Sequence, residues 1–115
     1  MGLGQIIDIL EAEVITGGNP DDEILTACGS DMMSDVLAYV KEQGMLLTGL
    51  LNPQTVRTAH MMDMTCIAFV RGKMPSVDVV NLANERGITL LSTRYRMFTA
   101  CGKLYHAGLE GGVDD

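Results

Sequence analysis

Aromatic residues are scarce in this chain: no tryptophan, two phenylalanines and three tyrosines, 4% of 115 residues. A core built from it must be filled by aliphatic side chains and by nine methionines, whose flexible thioethers suit irregular gaps. A methionine-rich surface used for association is the alternative reading of that count. Cysteine is also sparse. Cys28, Cys66 and Cys101 are odd in number and far apart, which argues against a disulfide framework and suits free thiols in a reducing compartment. No C-x-x-C occurs, so a metal cluster held by one chain is not expected. Positive charge is in short supply, with eight Lys and Arg against fifteen Asp and Glu and a formal charge of −7. That balance argues against a nucleic acid partner and against an anionic membrane surface. No apolar run reaches the length of a membrane span, and the first residues lack a charged, then apolar, then small-residue order. A cytoplasmic location is expected. Walker A, G-x-G-x-x-G and G-x-S-x-G are all missing, which removes the motif-defined nucleotide and hydrolase chemistries.

What is present is a regular alternation of apolar runs and amphipathic segments. At 47% hydrophobic the chain has enough apolar surface to fold as one domain. The clearest stretch is Thr65–Thr93: an apolar run TCIAFV, a basic loop RGKMP, an amphipathic segment closed by Gly87, and a second run ITLLST. Two strands joined by one helix in so few residues must be parallel, with a right-handed crossover. Upstream, Leu3, Ile6, Ile7 and Leu10 have helical spacing, and Glu13–Thr16 reads as extended. Gly17-Gly18-Asn19-Pro20 breaks the chain; no Lys or Ser/Thr follows at P-loop spacing. Ile24–Cys28 reads as a strand. Ser30 or Asp31 is placed to cap the next helix, whose apolar face is Met33, Val36, Leu37 and Val40, with Gly44 as its C′ residue. Met45–Leu50 is the next strand. Asn52-Pro53 is the strongest helix start in the chain, an N-cap followed by proline at N1. Ser76 caps the helix that follows the basic loop, and a last helix spans about Tyr95–Ala107.

The unit recurs as Met33–Pro53, Gln54–Pro75 and Ser76–Thr93. Its strands are nearly all apolar, as strands covered on both faces must be. The expected fold is α/β: three layers, α/β/α, around a mostly parallel sheet of four to five strands with helices on both faces. Residues 1–109 form the domain, and 110–115 are expected to be a flexible acidic tail.

A search for catalytic sets finds none. His60 and His106 have no cysteine or carboxylate at ligand spacing, so neither metal nor cofactor is expected. The cysteines fall on strands or an inner helix face, where thiols are inert. One constellation survives. Ligands in parallel sheets sit beyond the carboxyl ends of the strands. Three loops should emerge there: Thr48–Asn52, Arg71–Met74 and Ser92–Arg96. They hold Arg71, Lys73, Arg94 and Arg96, four of the eight basic residues. With helix N-termini nearby, these make an anion site. The candidate ligand-binding residues are Thr48, Gly49, Asn52, Arg71, Gly72, Lys73, Ser92, Thr93 and Arg94. The plainer alternative is that the charges only keep a loop edge solvated.

Several phrases, among them DILEAEVITGG, MLLTGLLNPQTVRTAHMMDMTCIAFVRGKMPSVDVVNLANERGITLLST and RYRMFTACGKL, together resemble the DRTGG domain, from about Gly4 to Leu109. Where that family often has Asp-Arg, this chain has Asn52-Pro53. Where the family has Thr-Gly-Gly, it has Arg71-Gly72-Lys73, keeping Gly72. The resemblance implies a standalone member with a fold similar to the N-terminal domain of HPr kinase/phosphorylase. It implies a non-catalytic regulatory or assembly module acting as a homodimer, with a protein partner and a link to hydrogenase or energy metabolism. The alternative it leaves open is a sensor domain for a small anionic ligand, such as an adenine nucleotide, at the carboxyl edge of the sheet.

Overall fold

In the computed structural model, which describes residues 1–39 and 44–111, ten elements follow in the order α1 (Leu3–Leu10), β1 (Glu13–Thr16), β2 (Thr26–Gly29), α2 (Met33–Tyr39), β3 (Gly44–Thr48), α3 (Pro53–Met61), β4 (Cys66–Phe69), α4 (Val77–Arg86), β5 (Thr89–Ser92) and α5 (Met97–His106). The five strands form one sheet in the order β1-β5-β4-β3-β2. Four of them are parallel neighbours, and β1 joins the edge at β5 in the antiparallel sense. The expected mostly parallel, doubly covered sheet is the architecture found.

β3, β4 and β5 are buried along their whole length. Strands with both faces covered cannot alternate apolar with polar, which is why their sequences are continuous apolar runs. Alternate residues of each strand serve opposite layers. Met45, Leu47, Cys66, Ala68 and Leu91 pack with Leu3, Ile6 and Leu10 of α1 and with Ala100 and Leu104 of α5. Leu46, Ile67, Phe69 and Leu90 pack with Val36 of α2, Val56 and Ala59 of α3, and Val79 and Ala83 of α4. Methionine is found both inside and on the surface. Met45 and Met64 are buried, while Met32, Met61 and Met74 are more than half exposed.

Local signals set the helix ends. The Asn52 side chain accepts from Thr55 N–H at 3.1 Å with Pro53 at the first helical position, satisfying a donor that the first turn leaves open. Gly87 closes α4 at φ 69°, the left-handed region glycine enters without cost. Glu11 closes α1 the same way at φ 47°. Four expectations shift. Leu37, expected on the inner face of α2, is exposed. The strand expected over Ile24–Cys28 is Thr26–Gly29, because Ile24 N–H is taken by the Met1 carbonyl. Gly44 is not a C′ residue but the first residue of β3, paired with Thr26. Ser76 stands at the N-cap of α4 without a side-chain bond. Val40, expected on the inner face of α2, lies outside the described residues, as do 112–115 of the expected tail. Glu110, also expected in the tail, pairs its backbone in parallel with Thr26 beside β2, its carbonyl accepting from Ala27 N–H at 2.9 Å.

The side chain of Ile67 is fully buried on central strand β4, so Ile67→Ala should cost about 2–5 kcal/mol. Asn52→Ala removes only a cap and should cost about 1 kcal/mol. Urea unfolding of the two variants measures the ratio directly.

Candidate functional site at the carboxyl edge of the sheet

Because β2, β3, β4 and β5 run parallel, the loops that follow them leave from one edge. Register places Thr48, Phe69 and Ser92 side by side as the last residues of their strands. Backbone bonds then tie the loops to one another. Val70 N–H donates to the Thr48 carbonyl at 3.0 Å, Arg71 N–H to Tyr95 at 2.8 Å, and Gly72 N–H to Thr93 at 2.7 Å. The Ser92 hydroxyl donates to the Lys73 carbonyl at 2.8 Å. Arg71 pays for this position with a left-handed backbone, φ 64°, a conformation that costs a non-glycine residue about 1–2 kcal/mol.

The centre of the edge is Gly49. A Cβ on Gly49 would lie 2.3 Å from Arg71 Nη2 and 3.5 Å from Asp31 Oδ1. The bare glycine is therefore what lets the guanidinium lie across the backbone there. Lys73 Nζ reaches in from the same loop and donates to the Gly49 carbonyl at 3.2 Å. Gly49 N–H donates to Asp31 Oδ1 at 2.7 Å, and Thr48 Oγ1 donates to the same oxygen at 3.0 Å. The Gly49 amide bond, then the Thr48 hydroxyl and the positive charges of Arg71 and Lys73, hold the Asp31 carboxyl below its ordinary pKa. Among the described residues the ion pair formed is Met1 with Glu23; Arg71 does not close onto Asp31, and its guanidinium donates no hydrogen bond.

Of the nine candidates, then, Thr48, Gly49, Arg71, Gly72 and Lys73 are brought together. Ser92 joins them as a strut. Asn52 is occupied in capping α3, and Thr93 turns inward, its hydroxyl donating to the Leu10 carbonyl at 2.7 Å. Arg94 lines a separate cleft of about 280 Å³ with Leu10, Glu11 and Tyr95, where the Tyr95 hydroxyl is bonded to Glu11 and Lys103 stands 4.8 Å over the Tyr95 ring. The sequence offers Ser30 or Asp31 as the cap of α2. Asp31 belongs to the site instead, and the Ser30 hydroxyl accepts from Met32 N–H at 2.9 Å, a turn just ahead of the first residue of α2. The signal was available, since any loop after a parallel strand opens on this edge.

Elsewhere the thiols are unreactive in kind. Cys66 is fully buried and pushed up to about 12 by desolvation, and burial also raises Cys28 and Cys101. His60 and His106 are exposed. An apolar recess of about 420 Å³ lies between β2 and α5, lined among others by Leu47, Phe98, Cys101, Gly102 and Tyr105.

A family model, the DRTGG domain, matches residues 5–107. The chain belongs to the DRTGG domain family. Among solved structures, this DRTGG domain is similar to the CBS and DRTGG domains of the regulatory region of Clostridium perfringens pyrophosphatase, complexed with an activator, diadenosine tetraphosphate. The TM-score is 0.70 at 19% identity, covering 90% of this chain and 45% of that one. At that identity the likeness is one of fold, and this chain spans less than half of the neighbour's length. No curated protein matches.

A depressed carboxyl pKa stabilises the fold above the unfolded-state value of about 3.9 and ceases to as pH falls through the folded value. The difference in Tm between wild type and Asp31→Asn should therefore be greatest near neutral pH and close progressively below about pH 4. A carboxyl titration of Asp31 by NMR should give a midpoint below that of an ordinary aspartate.

Proposed function

We propose that this DRTGG domain is a non-catalytic regulatory or assembly module that works as a homodimer through the exposed face of α5. The carrying observation is the pair Phe98 and Tyr105, 78% and 69% exposed. They are two helical turns apart on one face. Between them sits Gly102, whose absent Cβ has nothing within 4 Å. Large aromatics left in water at this density mark association surfaces. The arrangement is self-complementary: a two-fold axis near Gly102 sets Phe98 of one copy against Tyr105 of the other, as an isologous contact requires. Charge favours the same face. In a chain of formal charge −7, α5 carries Lys103 and His106 in its last turn, Arg96 at its N-cap and no acid. Two copies meet there with less repulsion than elsewhere. Family membership and the regulatory character of the neighbouring structure support the regulatory part of this reading.

A second reading is favoured by the meeting of Arg71 and Lys73 at Gly49. Here the module is a sensor, and a small anionic ligand such as an adenine nucleotide binds at the carboxyl edge. The neighbour's nucleotide activator supports the ligand class.

Sedimentation velocity at micromolar concentration should show a dimer. Phe98→Glu, which exposes no core, should give a monomer with a retained far-UV spectrum; a monomeric wild type would remove the dimer. For the second reading, a nucleotide at a hundred times its Kd should add about 2.7 kcal/mol of stability, and Arg71→Ala should abolish that gain.

A further inference from the structure

The point where an anion would sit is already filled by the chain's own carboxylate. Gly49 N–H and the Thr48 hydroxyl are fixed donors at a buried strand end, and both are given to Asp31 Oδ1. The Thr48 hydroxyl cannot turn away freely, because its oxygen accepts from Leu50 N–H at 3.2 Å. Asp31 is held differently. It is an exposed residue on the loop between β2 and α2, so its carboxylate can swing into water while its hosts stay in place. Two cations face it, Arg71 and Lys73, and neither closes an ion pair with it. One negative charge thus stands among two positive ones, with the Arg71 donors unclaimed within the described chain.

We propose that Asp31 is a built-in competitor for the ligand of this edge, displaced by a terminal phosphate or pyrophosphate group but not by a monocarboxylate. The inference rests on the sensor reading given above and names its ligand class. A phosphomonoester carries about −1.5 to −2 charges and three strong acceptor oxygens. One oxygen takes the place of Asp31 Oδ1 on Gly49 N–H and Thr48 Oγ1, leaving two for the Arg71 fork and the Lys73 ammonium. A free monocarboxylate brings only what Asp31 already supplies, and Asp31 is tethered at an effective concentration in the millimolar range. The tether therefore selects for charge, and it lowers apparent affinity for every ligand until the carboxylate leaves.

Binding of inorganic pyrophosphate, ATP and acetate to the full chain, followed by calorimetry and by the Gly49 amide shift in ¹⁵N spectra, tests this. Asp31→Ala, which empties the position, should bind pyrophosphate at least tenfold more tightly than wild type. Asp31→Asn, which keeps the acceptor without the charge, should fall between, and it carries the test alone if Asp31→Ala does not fold. Acetate should bind none of them tightly. Adding Arg71→Ala or Lys73→Ala to the Asp31 variant should remove the gain. ATP binding much tighter than pyrophosphate would assign the source to a nucleotide, and equal binding to the phosphate group alone; either supports the proposal. Equal pyrophosphate affinity in wild type and both Asp31 variants, with Arg71 still required, would overturn the competitor while leaving the sensor reading intact. No binding by any variant would overturn both.

Discussion

Three consecutive parallel pairings, β2 with β3, β3 with β4 and β4 with β5, constrain everything else in this molecule. A parallel pair cannot be closed by a hairpin, so each pairing demands a helical crossover. The crossovers α2, α3 and α4 lie together on one face. That face would leave the other bare, and α1 and α5 cover it from the two ends of the chain. The antiparallel strand β1 is a consequence of the same demand. Having laid α1 down, the chain returns along β5 with Val14 opposite Leu91. The buried bond from Thr93 Oγ1 to the Leu10 carbonyl then fastens the end of α1 to the loop leaving β5. It links residues 83 positions apart and satisfies a carbonyl that the last turn of α1 leaves open.

The fold was legible because its signals are local. Apolar runs of four to six residues, Pro and Asn at one helix start and Gly at a helix end are each set by neighbours in sequence. The shifts at Gly44 and Ile24 have non-local causes. Gly44 is drawn into β3 by pairing with Thr26, and Ile24 is claimed by the backbone of Met1. Neither partner is visible from the segment itself. The site was legible to the level of loops and no further. Topology dictates that Thr48–Asn52, Arg71–Met74 and Ser92–Arg96 share an edge, but not which side chains reach its centre. The part Asp31 plays in the site is hidden for the same reason: by type it is a helix cap, and only the tertiary position of Gly49 shows where its carboxylate goes.

Hydrogen-bonding capacity is what divides the candidates. A buried hydroxyl or amide must find a partner, so the polar residues closest to the sheet are consumed by the fold. Thr93 is given to Leu10 and Ser92 to the Lys73 carbonyl; Asn52, although exposed, is given to Thr55 as the cap of α3. Such residues position a site and are not available to it. Lys73 gives one donor to the Gly49 carbonyl, and Arg71 differs from all of them because its backbone is fixed while its head is not. The left-handed conformation of Arg71 is held by its own N–H on Tyr95 and that of Gly72 on Thr93, which asks nothing of the guanidinium. An arginine has five donors and Arg71 gives none within the described chain. A cation whose backbone is pinned at a strained angle, and whose side chain does no structural work, is the residue on this edge with chemistry left to offer. The absence of a Cβ at Gly49 then directs that chemistry, since any larger residue would push the Arg71 head away from the amide it now overlies.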